Sequence, residues 1–248
     1  MASPALAWLA AADPFPPVDQ AWGERSAAPG LLAAGAQLDV ARLCGAYALG
    51  IFPWFSQGQP VLWWSPDPRM VLKVENFRLH RSLKKTLRRF QQTPGCEIRV
   101  DSAFEAVIRK CAQALREGQN GTWILPEMVD AYCDLHAAGY AHSVETWMEG
   151  QLVAGLYCVS LGRAVFGESM FSERSDGSKI ALSALVAFCL AHDIAQIDCQ
   201  QNTRHLATLG GAPIARAEFV TSLRQTTQRE APKWEFLPHH WDRLLSNP

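Results

Sequence analysis

The chain has 248 residues, 23 of them Lys or Arg and 24 Asp or Glu, for a formal net charge of −1, with 48% hydrophobic and 19% charged residues. That length suits one large domain or two small ones, and 9 Trp, 11 Phe and 4 Tyr with so little charge exclude a disordered chain. Near-neutrality argues against a protein that coats nucleic acid over its whole surface, but not against a local basic patch. Seven cysteines without a C-x-x-C pair point to a reducing cytoplasm rather than a disulfide framework or zinc ribbon. No apolar run approaches the ~18–20 residues of a membrane helix, and no positive charge precedes the apolar stretch from Ala5 to Ala12, so neither a membrane span nor secretion is expected.

Residues 1–35 are rich in Ala, Pro and Gly and read as irregular. A helix is predicted over 39–49, with Asp39 as N-cap and Gly50 after its end. Two aromatic segments follow, 51–55 and 61–69, and Pro53, Pro60, Pro66 and Pro68 argue against a central strand in either. From Arg69 to Arg89 there are eight Lys or Arg and one acid, Glu75. Within this run, 82–90 reads as a helix with Leu83, Leu87 and Phe90 on one face. Further helices are predicted over 102–114, capped by Asp101 or Ser102, and over 126–138. The period then changes to strands at 142–147, 151–160 and 164–171. A nearly all-apolar helix over 178–192, a buried strand over 194–199 and a short helix over 203–209 complete the pattern, and the last 25 residues or so show none. This order predicts an α+β fold: a small N-terminal domain, 1–92, and a C-terminal mixed-sheet domain, 93–248, compatible with the N-acyltransferase architecture, in which a splayed sheet admits an acyl donor.

Three polar residues stand out. Glu168 interrupts an apolar strand and shares a face, by alternation, with Phe166 and Met170; a carboxylate there is costly unless paired or facing a wet cleft, the alternative being an edge-strand acid in solvent. Asp198 and Gln200 close the buried strand on one face, where a ligand could sit, although Asp198 could equally cap the next turn. Trp54, Trp63, Trp64 and Trp123 fall in loop-like sequence near the basic run, a composition suited to stacking bases and holding phosphate, though core packing explains at least two of them. No Walker loop, G-x-G-x-x-G, H-E-x-x-H or G-x-S-x-G is present, nor the R/Q-x-x-G-x-G/A loop of an acetyl-CoA-dependent transferase, so neither a metal nor a cofactor is expected.

These segments resemble the bacterial leucyl/phenylalanyl-tRNA–protein transferases. The resemblance runs through Gly30-Leu31-Leu32, Tyr47 with Gly50 to Phe55, Leu62 to Arg69, Gly121-Thr122-Trp123-Ile124, His142 to Glu145, Gly167 to Ser172, Ser178-Lys179, Ile197 to Gln200 and His205 to Gly210. It implies transfer of Leu or Phe, less readily Met, from aminoacyl-tRNA to the N-terminal Arg or Lys of a protein, which marks that protein for N-terminal-residue-dependent degradation. It further implies a cytoplasmic enzyme, read here as a monomer. Asp198, Gln200 and Glu168 are then the expected catalytic residues. Gln200 would hold the amine through its carbonyl oxygen, Asp198 would orient that amide, and Glu168 would bind the cationic acceptor or the terminal ribose. Met170, Ile197, Leu156, Leu182 and Leu185 are expected to form the aminoacyl pocket, with Trp54 and Trp123 on the terminal adenosine. Arg69, Lys73, Arg78, Arg81, Lys84, Lys85, Arg88 and Arg89 are expected on the tRNA backbone. A CoA-dependent acetyltransferase and a non-catalytic RNA-binding module are the rival classes.

Overall fold

The computed structural model describes residues 5–114, 124–201 and 204–246. The N-terminal part forms a small sheet from β1 (Ala7–Leu9), β2 (Leu31–Gly35), β3 (Phe52–Pro53) and β4 (Leu62–Trp64), in the order β1-β2-β4-β3, with helix α1 (Val40–Ala48) between β2 and β3. Asp39 caps α1 as predicted, its Oδ1 accepting from the Arg42 amide at 2.8 Å. Gly50 ends the turn at φ +77°, a backbone that glycine adopts without strain. Contrary to the expectation from its prolines, the second aromatic segment does supply an interior strand, since β4 lies between β2 and β3. Pro60 and Pro66 flank its three residues and Pro53 sits on the edge strand β3, so no ladder donor of β4 is lost. Trp63 at its centre is fully buried and donates through Nε1 to the Gly35 carbonyl at 2.8 Å.

The larger sheet begins earlier in the chain than the sequence suggests. Strand β5 (Arg69–Lys73) is followed by α2 (Arg81–Gln92), β6 (Cys96–Val100), α3 (Phe104–Gln113), α4 (Pro126–Ala137), β7 (Ala141–Met148), β8 (Gln151–Leu161) and β9 (Ala164–Ser172). Then come α5 (Gly177–Ala191), β10 (Gln196–Gln200), α6 (Arg204–Thr208), β11 (Ala212–Ile214), α7 (Arg216–Thr226) and α8 (His240–Leu245). The seven strands run β11-β5-β10-β9-β8-β7-β6, all neighbours antiparallel except β9 and β10. This is the expected α+β fold with a mixed sheet. Residues 69–92, read with the N-terminal unit, pair and pack with this sheet: β5 lies between β10 and β11, and Leu83, Leu87 and Phe90 of α2 share an apolar cluster with α5. Met70, Val71 and Leu72 are too short a run, bracketed by Arg69 and Lys73, to stand out as a buried strand.

Successive strand residues alternate between two apolar clusters, one on the side of α1, α3 and α4, the other holding α5 and α8. Val71 faces the first and Leu72 the second, as do Phe166 and Val165. Helix α5 is almost wholly apolar from Ile180 to Cys189 because that stretch is buried throughout: Trp234, in the tail that shows no sequence pattern, stacks on Phe188 of α5 and on His142. The cap of α3 is not the expected one. Glu145 of β7 accepts from the Ala103 amide at 2.8 Å and from the Ser102 hydroxyl, while the Asp101 carboxylate is engaged by His142 and the Ser143 amide.

Candidate active site

Two β-bulges in neighbouring strands create the site. Between β8 and β9 the register passes from Tyr157↔Ser169 to Cys158↔Gly167, which leaves Glu168 as the extra residue. Between β5 and β10 it passes from Val71↔Asp198 to Met70↔Gln200, which leaves Cys199 as the extra one. The parallel ladder between β9 and β10 holds Val165↔Ile197 and Phe166↔Asp198 and stops just short of Glu168 and Gln200. Those two side chains bridge the strands beyond it.

The first bulge also overturns the face assignment made by alternation. Phe166 and Phe171 face one cluster while Val165 and Met170 face the other, so Phe166 and Met170 lie on opposite sides of the sheet. Strict period-two counting fails wherever one residue is inserted.

The Glu168 carboxylate takes its hydrogen bonds from uncharged donors. Its Oε1 accepts from the Tyr47 hydroxyl at 2.7 Å and from Gln200 Nε2 at 2.9 Å, and its Oε2 from the Tyr132 hydroxyl at 3.4 Å. The two tyrosine hydroxyls are also in contact with each other, and because each phenol has a single proton, donation from Tyr132 to Tyr47 competes with its long bond to Glu168. Burial pushes the Glu168 carboxyl up to about 7, against the pull of the Tyr47 and Gln200 donors. Burial, then the charge of Glu168, raises both phenols well above their usual range, so each remains a protonated donor. Tyr47 and Tyr132 do not stand out as site residues in the sequence. The available signal is a phenol on an otherwise apolar helix face, since a buried hydroxyl needs a partner.

Asp198 is held differently. Its Oδ1 and Oδ2 receive Nε and Nη2 of Arg69 at 2.8 and 2.6 Å, and Oδ1 also accepts the Gln200 amide N–H at 2.9 Å. Nη1 of Arg69 donates to the Gly50 carbonyl at 3.0 Å, and the rings of Phe52 and Phe219 lie 4.8 and 4.7 Å from the guanidinium carbon. Two expectations are corrected here. Arg69 cannot reach a phosphate, because it is 0% exposed and spent on Asp198 and Gly50. Asp198 steers Gln200 through its backbone N–H, while the Gln200 side-chain amide turns to Glu168. Gln200 has φ +60°, and that backbone turn aims its side chain away from Asp198.

The five aminoacyl-pocket candidates come together in the cluster on the other face of these strands. Leu156, Leu182, Leu185 and Ile197 are buried, and Met170, the cross-strand partner of Leu156, is half-buried against them. Trp54 is half-buried and tilted against Trp64, whose Nε1 donates to the Trp54 carbonyl at 2.6 Å. Trp123 lies outside the described residues. Arg78, Arg81, Lys85, Arg88 and Arg89 are exposed, Lys84 is half-buried on α2, and Lys73 is half-buried with its Nζ 3.6 Å from Glu218. Among the described residues no group of three or more His, Cys, Asp or Glu side chains could hold a metal ion, and no helix is long and apolar enough to cross a membrane.

Residues 71–224 match the family described as leucyl/phenylalanyl-tRNA protein transferase, and residues 36–67 match that family's N-terminal domain. The two stretches meet at 68–70, where β5 begins. These matches define the chain as a transferase. Curated relatives named leucyl/phenylalanyl-tRNA–protein transferase include one from Polaromonas sp., 64% identical over 96% of this chain and 94% of that protein. Another, from Albidiferax ferrireducens, is 60% identical over 98% and 96%. The chain belongs to the leucyl/phenylalanyl-tRNA–protein transferase family. Similar solved structures include FemX, with a TM-score of 0.41 at 11% identity over 74% of this chain and 71% of that one. A GCN5-related N-acetyltransferase from Kribbella flavida gives 0.34 at 11% over 67% and 57%.

Proposed function

We propose that this cytoplasmic, monomeric enzyme moves Leu or Phe, and less readily Met, from its tRNA to the N-terminal Arg or Lys of a protein, and so marks that protein for degradation. The observation that carries the acceptor choice is Glu168, an ionisable carboxylate whose hydrogen-bond donors among the described residues are all neutral. A carboxylate provided for in this way is suited to a cation arriving from outside, here the acceptor's side chain or ammonium group; a bond to the terminal ribose is the alternative role.

The donor is an activated ester, so transfer needs no further energy source. The acceptor amine, with a pKa near ~8, is partly neutral at pH 7 and needs no strong base. Its nitrogen attacks the ester carbonyl carbon, the bond from that carbon to the ribose oxygen breaks, and the ribose oxygen leaves with the proton that the amine loses. With Gln200 Nε2 bonded to Glu168, Gln200 Oε1 accepts an N–H of the amine and aligns its lone pair, an orientation effect. Asp198 fixes the turn that presents Gln200.

The leaving tRNA end is held by Trp54 and Trp123 on its adenosine. Arg78, Arg81, Lys84, Lys85, Arg88 and Arg89, with Lys73 at the margin, take the phosphates, contacts that carry little sequence preference. Met170, Leu156, Leu182, Leu185 and Ile197, on the other face of the sheet, receive the amino-acid side chain past the point where the ladder between β9 and β10 ends. An apolar pocket accepts Leu, Phe and Met alike because apolar differences amount to only ~1–3 kcal/mol each, and the flexible Met170 thioether adapts to each guest.

The test is transfer of labelled Phe from Phe-tRNA to a peptide beginning with Arg. Equal transfer to a peptide beginning with Ala would overturn the acceptor assignment, and no transfer to either peptide would overturn the reaction itself.

A further inference from the structure

We propose that Arg69 is a positioning residue for the transfer reaction, acting on Gln200 through Asp198 without touching substrate. The inference rests on the reading that places Gln200 at the attacking amine. The sequence groups Arg69 with the cations of α2, yet it is the first residue of a central strand and completely buried.

Its guanidinium is fixed on every side. Nε and Nη2 hold both oxygens of Asp198, Nη1 holds the Gly50 carbonyl, and Phe52 and Phe219 pack over the guanidinium. A buried ion pair is a weak explanation of stability by itself, because apolar replacements of similar size often serve a fold as well. What this pair supplies is a direction for one acceptor atom. Oδ1 of Asp198, held by Arg69 Nε, accepts the Gln200 amide and closes the turn in which Gln200 adopts φ +60°, a backbone that L side chains rarely take. That turn sends the Gln200 amide across the end of the parallel ladder to Glu168. The order of action therefore runs from Arg69 to the Asp198 oxygens, to the Gln200 backbone, and to the side-chain amide. A lysine would keep the charge but lose the planar fork that grips both carboxylate oxygens together with Gly50.

Coupling between Arg69 and Gln200 tests this. Phe transfer to the Arg-initial peptide is measured for the wild type, Arg69→Lys, Gln200→Ala and the double variant, alongside the affinity for Phe-tRNA and the far-ultraviolet circular dichroism. Arg69→Lys is expected to keep the circular dichroism and tRNA affinity of the wild type while kcat falls by about tenfold or more, and in the Gln200→Ala background the same change is expected to alter kcat by less than about threefold. A kcat for Arg69→Lys within about twofold of wild type, or a full loss that persists without Gln200, overturns the proposal.

If Arg69→Lys does not fold, the pair Arg69→Met with Asp198→Asn removes both buried charges together, and its coupling to Gln200→Ala is read in the same way. Failure of the wild type to transfer Phe at all is a different result. It overturns the underlying reading, and this proposal with it.

Discussion

Glu168 and Asp198 lie on the neighbouring strands β9 and β10, and the fold provides for them in opposite ways. Asp198 has a counter-ion built in, a guanidinium that fills both its oxygens and is buried with it. Among the described residues, Glu168 has only the hydroxyls of Tyr47 and Tyr132 and the amide of Gln200. A carboxylate whose charge is cancelled within the protein can serve architecture. One whose charge is left uncancelled suits the proposed role of receiving a cation, and its burial makes ionisation costly.

The contrast is broken most directly at Asp198. Asp198→Ala strands the Arg69 guanidinium in the core and should lower unfolding stability by about 3–5 kcal/mol, read from urea midpoints; a loss below about 1 kcal/mol would show that the pair is expendable. Glu168→Gln should do the reverse in a pH-dependent way. The folded-state value of about 7 lies above the ordinary 4.5, so the proton is held more tightly in the folded state. The resulting penalty is absent below 4.5, grows as pH rises towards 7, and is full above it. Removing the ionisable group should therefore stabilise the protein by up to about 3 kcal/mol at pH 8 and by almost nothing at pH 4, while transfer to the Arg-initial peptide falls. Thermal denaturation at the two pH values checks this, and equal shifts at both would remove the carboxylate's special standing.

Smaller effects sharpen the picture. Tyr47→Phe takes a 2.7 Å donor from Glu168 and should move the midpoint of the pH–rate curve upward. Tyr132→Phe, whose hydroxyl is 3.4 Å away, should move it less. A hydrogen bond to a charged group contributes about 1.5–3 kcal/mol, enough for the two midpoints to be separated. The mildest change is on the surface: Lys85, Arg88 and Arg89 to Ala should reduce the salt dependence of tRNA binding by about one unit of slope for each phosphate no longer neutralised. Stability should stay within about 0.5 kcal/mol. An unchanged slope would mark that face of α2 as solvated only.

Most helices and the strands from 141 to 172 are legible because their apolar periods are long and clean. What escapes is short or irregular. Strand β5 offers three apolar residues between two cations, and its place in the sheet depends on β10 and β11, distant in the chain. The bulges at Glu168 and Cys199 are invisible to period-two counting, yet they decide which face Met170 takes and where Gln200 points. At the site, the carboxylates are legible because charge in an apolar strand is costly. Arg69 is not, because a cation beside other cations reads as surface, and Tyr47 and Tyr132 blend into apolar helix faces. Their partners are known only from the fold.

The hydrogen bonds that join Tyr47 to Glu168 and Arg69 to Asp198 span 121 and 129 residues of chain. Closing loops of that length carries a chain-entropy cost that short-range contacts do not. The site has no local precursor: it exists only when α1, β5, β9 and β10 are brought together. A fragment carrying only Tyr47 and Arg69, or only Glu168 and Asp198, therefore cannot form these bonds.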